Sequence, residues 1–229
     1  MPCAFFPTLF CGKATNVSEF RRLQQLATPD YFRSGTTIFA EQTRTTVTFG
    51  LSRGVVRLYK LLADGRRQIL TFALPGDFLG IPLAESHHFS ADAVGDVALC
   101  RFSLDDLQGL VGSSSNVMQL MIDFAIRELG MAHDHLLLLG TGSAEERVSM
   151  FLIGWRDRLA RLNSVPEEVP LPMRRQDIAD FLGLELETVC RTLTKLERKN
   201  AIRVGANGVF LTGLEATPPV VRRIRQRRR

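Results

Sequence analysis

The chain is poor in the groups that catalysis and metal binding call on. It has four histidines in 229 residues, and none forms a metal-binding pair. His87 and His88 fall in a probable-loop pattern of polar residues, while His133 and His135 are two apart and face different sides of any helix that carries them. No nucleophile elbow, phosphate-cradling Walker loop or paired-glycine dinucleotide fingerprint occurs. The β-rich half lacks the clustered histidines and carboxylates that a cupin-like metal oxygenase needs on adjacent strands. An enzyme is therefore not expected. No apolar run approaches the roughly 18 residues of a membrane span, and no charged-then-apolar leader opens the chain, so the sequence reads as cytoplasmic with no membrane partner. Charge of one sign is scarce except at the end. Six arginines fall within Arg222 to Arg229, more than the whole net charge of +5, so the remainder is close to neutral. Such a tail either neutralises DNA phosphates or is simply solvated.

What is present comes in three blocks, and the length is comfortable for two domains. From Tyr31 to Arg101 the β-rich runs TTIFAE, TVTFGLS, GVVRLYKLL, RQILTFAL, FLGIPL and VALCRF alternate with turn signals at Asp64-Gly65 and Pro75-Gly76. This spacing predicts an antiparallel barrel or double-sheet roll. Short helices are expected at Ser18 to Leu26 and at Ser103 to Leu110, with Ser103 as cap. A long helix then starts near Ser115. Met118, Ile122, Ala125, Leu129, Ala132, Leu136 and Leu139 recur along it at intervals of four and three, the seam of a coiled coil over about three heptads. That seam predicts a homodimer; a helix packed on its own roll is the alternative. Gly140 to Ser143 breaks the helix, and Ser143 with Glu146 forms a capping-box pattern opening an amphipathic helix through Leu162. Asn163 to Pro172 reads as a linker.

The third block is the most informative. In RRQDIADFLGLELETVCRTLTKLERKNAIRV, Ile178, Ala179, Leu182, Leu184, Val189, Leu193 and Leu196 recur at helical spacing around a corner at Gly183. Two short helices at a tight turn are a helix-turn-helix, whose second helix lies in the DNA major groove and presents its N-terminal half to base edges. Those residues are Glu187, Thr188, Cys190 and Arg191. Glu187 and Arg191 share a helix face; carboxylate accepts from cytosine N4, and guanidinium donates bidentately to guanine O6 and N7. After Asn200, two extended runs around Asn207-Gly208 predict a hairpin wing. The expected fold is α+β: an N-terminal roll over residues 1–111, a dimerisation helix over 112–140 and a winged helix-turn-helix with basic tail over 144–229. The partner read from these residues is double-stranded DNA. A winged helix that binds protein instead is the competing class.

The order of parts resembles the CRP/FNR family of bacterial transcription regulators over nearly the whole chain. LLADGRRQILTFALPGDFLG, SAEERV and LPMRRQDIADFLGLELETVCRTL carry the likeness, most of all to the FNR and FixK branches. The resemblance implies that Arg175 and Gln176 contact the phosphate backbone and that Glu187, Cys190 and Arg191 read a TTGA-type half-site. Cys190 stands where the FNR branch usually has serine, which leaves the outer base pair open. Leu186 replaces the arginine of the cAMP-receptor branch. The resemblance also implies contact with RNA polymerase through loops of the roll, including Asp64 to Arg67, and hence activation.

For the sensed signal the resemblance offers several readings. A cyclic-nucleotide pocket of this family needs a glutamate where Ile81 stands, and an arginine for the cyclic phosphate, yet none lies between Arg67 and Arg101. No cyclic nucleotide is expected. An oxygen-labile [4Fe–4S] cluster would use Cys3, Cys11 and Cys100. The first cysteine of the usual CxxC pair would precede Met1, so a fourth ligand is upstream, of another kind, or lost with the cluster. Ala132 occupies the seam position where cluster sensors carry an acidic residue, which predicts a dimer without cofactor, as in FixK-like regulators. Oxidation of Cys190 beside DNA, control by abundance, and haem sensing of carbon monoxide or nitric oxide are the other readings.

Overall fold

The computed structural model describes residues 17–80, 85–162 and 167–214. Cys3, Cys11, Ile81 and the arginines at 222–229 lie outside the described residues. The chain divides into two compact units, one to Gly130 and one from Met131.

The first unit is a roll of two four-stranded antiparallel sheets. One has the order β1-β8-β3-β6, from Thr28–Phe32, Val47–Arg53, Phe78–Leu79 and Val97–Ser103; the other has the order β2-β7-β4-β5, from Thr37–Phe39, Val56–Leu61, Arg67–Ala73 and Ser90–Ala93. Alternation in β4 points Val56 and Leu58 inward and leaves Arg57 and Tyr59 on the outer face. Phe39, Phe49, Leu51, Leu79, Ala91, Ala93, Val97 and Leu99 complete the layer between the sheets. The second layer lies on the other face of the β8 sheet. Cys100 and Phe102 of β8 pack there with Leu23 of α1 (Val17–Leu26), Leu107 and Leu110 of α2 (Leu104–Ser113), and Val117 at the start of α3 (Ser115–Thr141). Each such leucine or phenylalanine stabilises the fold by about 1.5–3 kcal/mol relative to exposure, so β8, loaded on both faces, is the spine of the unit.

Three elements depart from the sequence expectation. The FLGIPL run forms only Phe78–Leu79 among the described residues. β1 carries Pro29 and pairs with β8 alone, as a proline-bearing strand must at a sheet edge. β7, SADA, has no strand signature, yet it pairs with β2 on one side and β4 on the other and all four of its residues are buried. Ser103 does occupy the N-cap position of α2, but among the described residues its side chain makes no capping bond.

The second unit opens with the last turns of α3. At α4 (Ala144–Ala160) the capping box is complete: Glu146 N donates to Ser143 Oγ at 3.3 Å and Ser143 N donates to Glu146 Oε2 at 2.8 Å. The helix stops two residues short of Leu162, in a turn. Within the expected linker, Val169–Pro170 forms β9, the third strand of a sheet ordered β10-β11-β9 with Ile202–Val204 and Gly208–Leu211. The wing turn is centred on Ala206 and Asn207, since Val204 pairs Val209 and Gly205 N donates to Gly208 O. Gly208, expected in the turn, is instead in β11 beside β9, where a Cβ would collide with Val169 O.

Candidate nucleic-acid interface

Two helices form the corner expected from sequence: α5 (Arg175–Leu182) and α6 (Leu186–Arg198). Gly183 between them has φ 61° and ψ 41°, a left-handed conformation that glycine adopts without a Cβ penalty. At its start, Arg174 N donates to Asp177 Oδ2 at 3.0 Å, and Asp177 is buried. This acid satisfies one orphan donor at the positive end of the helix dipole.

The sequence of α6 is strongly two-sided. Val189, Thr192, Leu193 and Leu196 are buried, whereas Glu187, Cys190, Arg191, Thr194 and Lys195 are exposed and Thr188 is half-buried. Glu187 and Arg191 approach to 3.9 Å with their side chains 84% and 73% exposed. An ion pair so open to water is worth little, so either side chain can turn to a ligand at small cost. Cys190 is a free thiol. Leu186, in the first turn of the same helix, is also exposed.

At the start of α5, Gln176 is exposed and gives one amide hydrogen to Asp180 Oδ1 at 2.7 Å. Arg175 is half-buried, and its Nη1 is buried without a hydrogen-bond partner among the described residues. A buried donor left unmet costs about 1–3 kcal/mol.

Sequence reasoning missed two cationic features. On the wing, exposed Arg203 holds its guanidinium 3.6 Å from the centroid of the Phe210 ring; the alternation IRV before the turn was the available signal. On α6, Lys195 lies 2.8 Å from Glu145 Oε2, and Lys199 bonds the other oxygen of that carboxylate. Hydrogen bonds from Lys195 and then Lys199 hold the Glu145 carboxyl below its ordinary range.

The seam residues of α3 are placed as follows. Met118, Ile122, Ala125, Leu129, Ala132 and Leu136 are exposed, with Leu129 at 57% and Leu136 at 67%. Ile126 and Leu137, outside the heptad reading, are exposed as well, whereas Leu139 is half-buried with its Cδ2 3.4 Å from where a Gly183 Cβ would stand.

Of the three cluster-ligand candidates only Cys100 is among the described residues, and it is fully buried between Phe78, Phe102 and Leu107. No group of three His, Cys, Asp or Glu that could hold a metal occurs among the described residues. Inside the roll, His87 is buried and stacks on Phe39 at 3.9 Å. On its outer face Arg57 is committed to Asp92 at 2.9 Å, and Asp92 also accepts from Thr37 Oγ1 at 2.8 Å. No helix among the described residues is long and apolar enough to cross a membrane.

Residues 146–216 match the family described as Crp-like helix-turn-helix domain, and residues 29–114 the one described as cyclic nucleotide-binding domain. The chain is 47% identical over 209 residues to the nitrogen fixation regulation protein FixK of Bradyrhizobium diazoefficiens, covering 91% of this chain and 88% of that one. It is 48% identical over 211 residues to the transcriptional activatory protein AadR of Rhodopseudomonas palustris, covering 90% and 86%. The solved structure of FixK2 from Bradyrhizobium japonicum superimposes with a TM-score of 0.75 at 35% identity, over 86% of this chain and 96% of that one. With identity near one half along almost the whole length of two relatives, over a roll, a long helix and a winged helix-turn-helix, the chain belongs to the CRP/FNR family of DNA-binding transcription regulators, in its FixK-like branch, and is not an enzyme.

Proposed function

We propose that the chain works as a homodimeric activator that reads two TTGA-type half-sites about one helical turn apart and needs no bound cofactor to do so. The observation that carries this reading is the two-sidedness of α6, where Glu187, Cys190 and Arg191 are exposed, with Thr188 half-buried beside them, and Val189, Thr192, Leu193 and Leu196 are buried on the opposite face. Glu187 accepts from a cytosine amine and Arg191 donates to a guanine, while Thr188 and Cys190 face the same groove. Half-buried Arg175 and exposed Gln176, both at the start of α5, would contact the phosphate backbone. The exposed seam of α3 supplies the two-fold partner, with Leu139 at its inner end; like-for-like contact along one helix is the isologous arrangement that a palindrome demands.

AadR is a transcriptional activatory protein, and activation here would use the hairpin of Asp64 to Arg67, exposed through Arg66, as the contact to RNA polymerase. The link to oxygen or redox supply comes through the FixK likeness. Cofactor independence is favoured by Ala132, uncharged and exposed in the seam. The roll offers no arginine between positions 67 and 101 for a cyclic phosphate.

The test is fluorescence anisotropy of metal-free protein, in air and reductant, on a palindromic duplex and on a scrambled duplex at one salt concentration. Preference for the palindrome by about 10³-fold or more is expected; equal binding, or binding only by iron-loaded protein without oxygen, overturns the reading. A second control is favoured by the free exposed thiol of Cys190 on this face. Peroxide would oxidise the thiolate to a sulfenate with loss of water, placing a bulkier polar group against DNA. Binding then falls in the wild type and survives in Cys190→Ser; an unchanged wild type removes this switch.

A further inference from the structure

The last carbonyls of a helix have no partner within it, and in α5 they are taken up by side chains from the two preceding helices. Phe181 O accepts from His135 Nε2 at 2.7 Å, and Leu182 O accepts from Arg147 Nη1 at 3.2 Å. His135 is on α3 and Arg147 on α4, whose guanidinium also donates to Gly142 O at 3.0 Å in the break between them. A carbonyl only accepts, so Nε2 carries the proton in this contact. The imidazole further stacks on the Phe181 ring, 4.0 Å between centroids and 7° from parallel. Phe181 in turn packs at 5.6 Å on Phe151 of α4. One side chain of the helix that carries the dimer seam thus grips the first helix of the DNA reader by both its backbone and its ring, one residue before exposed Leu136.

We propose that His135 is a positioning residue: it locks the helix-turn-helix to the end of α3 and thereby sets the spacing at which the two half-sites are read. This rests on the dimeric DNA-binding reading above. The only covalent path from α3 to α4 runs through Gly142, a joint with little stiffness of its own. Without the His135 clamp, the Arg147 bond to Leu182 O remains, and each recognition helix keeps its base contacts but holds its distance from its partner less tightly. Half-site spacing is a geometric property of a dimeric reader, and a rigid reader avoids the ordering cost that a loose one meets on binding.

The experiment uses the full chain and three palindromes, one with the preferred central spacer and two with the spacer longer or shorter by a single base pair. Wild-type protein is expected to favour the preferred spacer at least tenfold. His135→Ala should reduce that preference about tenfold while sedimenting as the wild type does. His135→Gln, which restores an N–H donor, should recover part of it. Phe181→Leu, which keeps the carbonyl and removes the ring, gives an independent loosening should the alanine variant not fold. Wild-type spacing preference in the folded variants, or an equal loss of affinity at every spacing, overturns the inference. Failure of wild-type protein to prefer any palindrome overturns the DNA reading beneath it, and is told apart by that control.

Discussion

Arg191 and Glu187 lie four residues apart on a face with no other buried commitment, so their contribution to binding is expected to be base-specific. Arg191→Ala should weaken the palindromic complex by about 1–3 kcal/mol, roughly 5-fold to 150-fold, and leave a scrambled duplex little changed; an equal loss on both duplexes in anisotropy titrations would assign the arginine to the backbone. This face was legible from helical spacing alone. The Arg175 orphan nitrogen and the Arg203 stack on Phe210 were not, because both depend on what surrounds the side chain.

At the same scale, burial against Phe39 pushes the His87 imidazole below its ordinary value near 6.5. Above pH 6.5 the ring is neutral in both folded and unfolded chains and contributes nothing to pH dependence. As pH falls through 6.5 the unfolded chain takes the proton first, so stability declines until the lower folded value is reached. Thermal melts at pH 7.5 and 5.5 should therefore show a larger loss in the wild type than in His87→Phe, which retains the stack; identical losses would mean that His87 does not titrate on unfolding.

Among elements, the helices were readable because each carries a periodic apolar stripe, as in Val189, Leu193 and Leu196, and a start signal such as Ser143 with Glu146. The short strands were not. β7 is Ser-Ala-Asp-Ala, held by pairing on both edges and not by strand propensity, and β9 is two residues whose partner lies about forty positions away in the wing. Gly208 misled for the same reason. Asn-Gly is a turn dipeptide by local rules, yet the glycine is needed where the β9 backbone runs against β11. Gly208→Ala should force β9 from β11 and destabilise the second unit by at least about 1–3 kcal/mol, seen as a lower melting temperature. A melt within error of the wild type would show that β9 can shift freely.

For the molecule as a whole, α3 decides whether one chain or two is the working form. The two-unit division falls within that helix, between Gly130 and Met131, where no composition break marks it. Its exposed stripe of Met118, Ile122, Ile126, Leu129 and Leu136 is the surface that the proposed dimer would cover. The heptad pattern revealed the stripe but not its width, since Ile126 and Leu137 widen it beyond the a/d positions. Leu129→Glu would put two like charges against each other across a two-fold seam. Sedimentation should then show monomer at micromolar concentration and DNA affinity should fall by far more than in Arg191→Ala; a variant that remains dimeric would move the interface elsewhere.

The account turns on two recognition helices reading one duplex together. Hydroxyl-radical footprinting of metal-free protein on a DNA fragment carrying a TTGA-type palindrome tests this most directly. The prediction is two protected blocks on one face of the duplex, centred about one helical turn apart and both lost in Leu129→Glu. A single protected block, or uniform weak protection along the whole fragment, would contradict it.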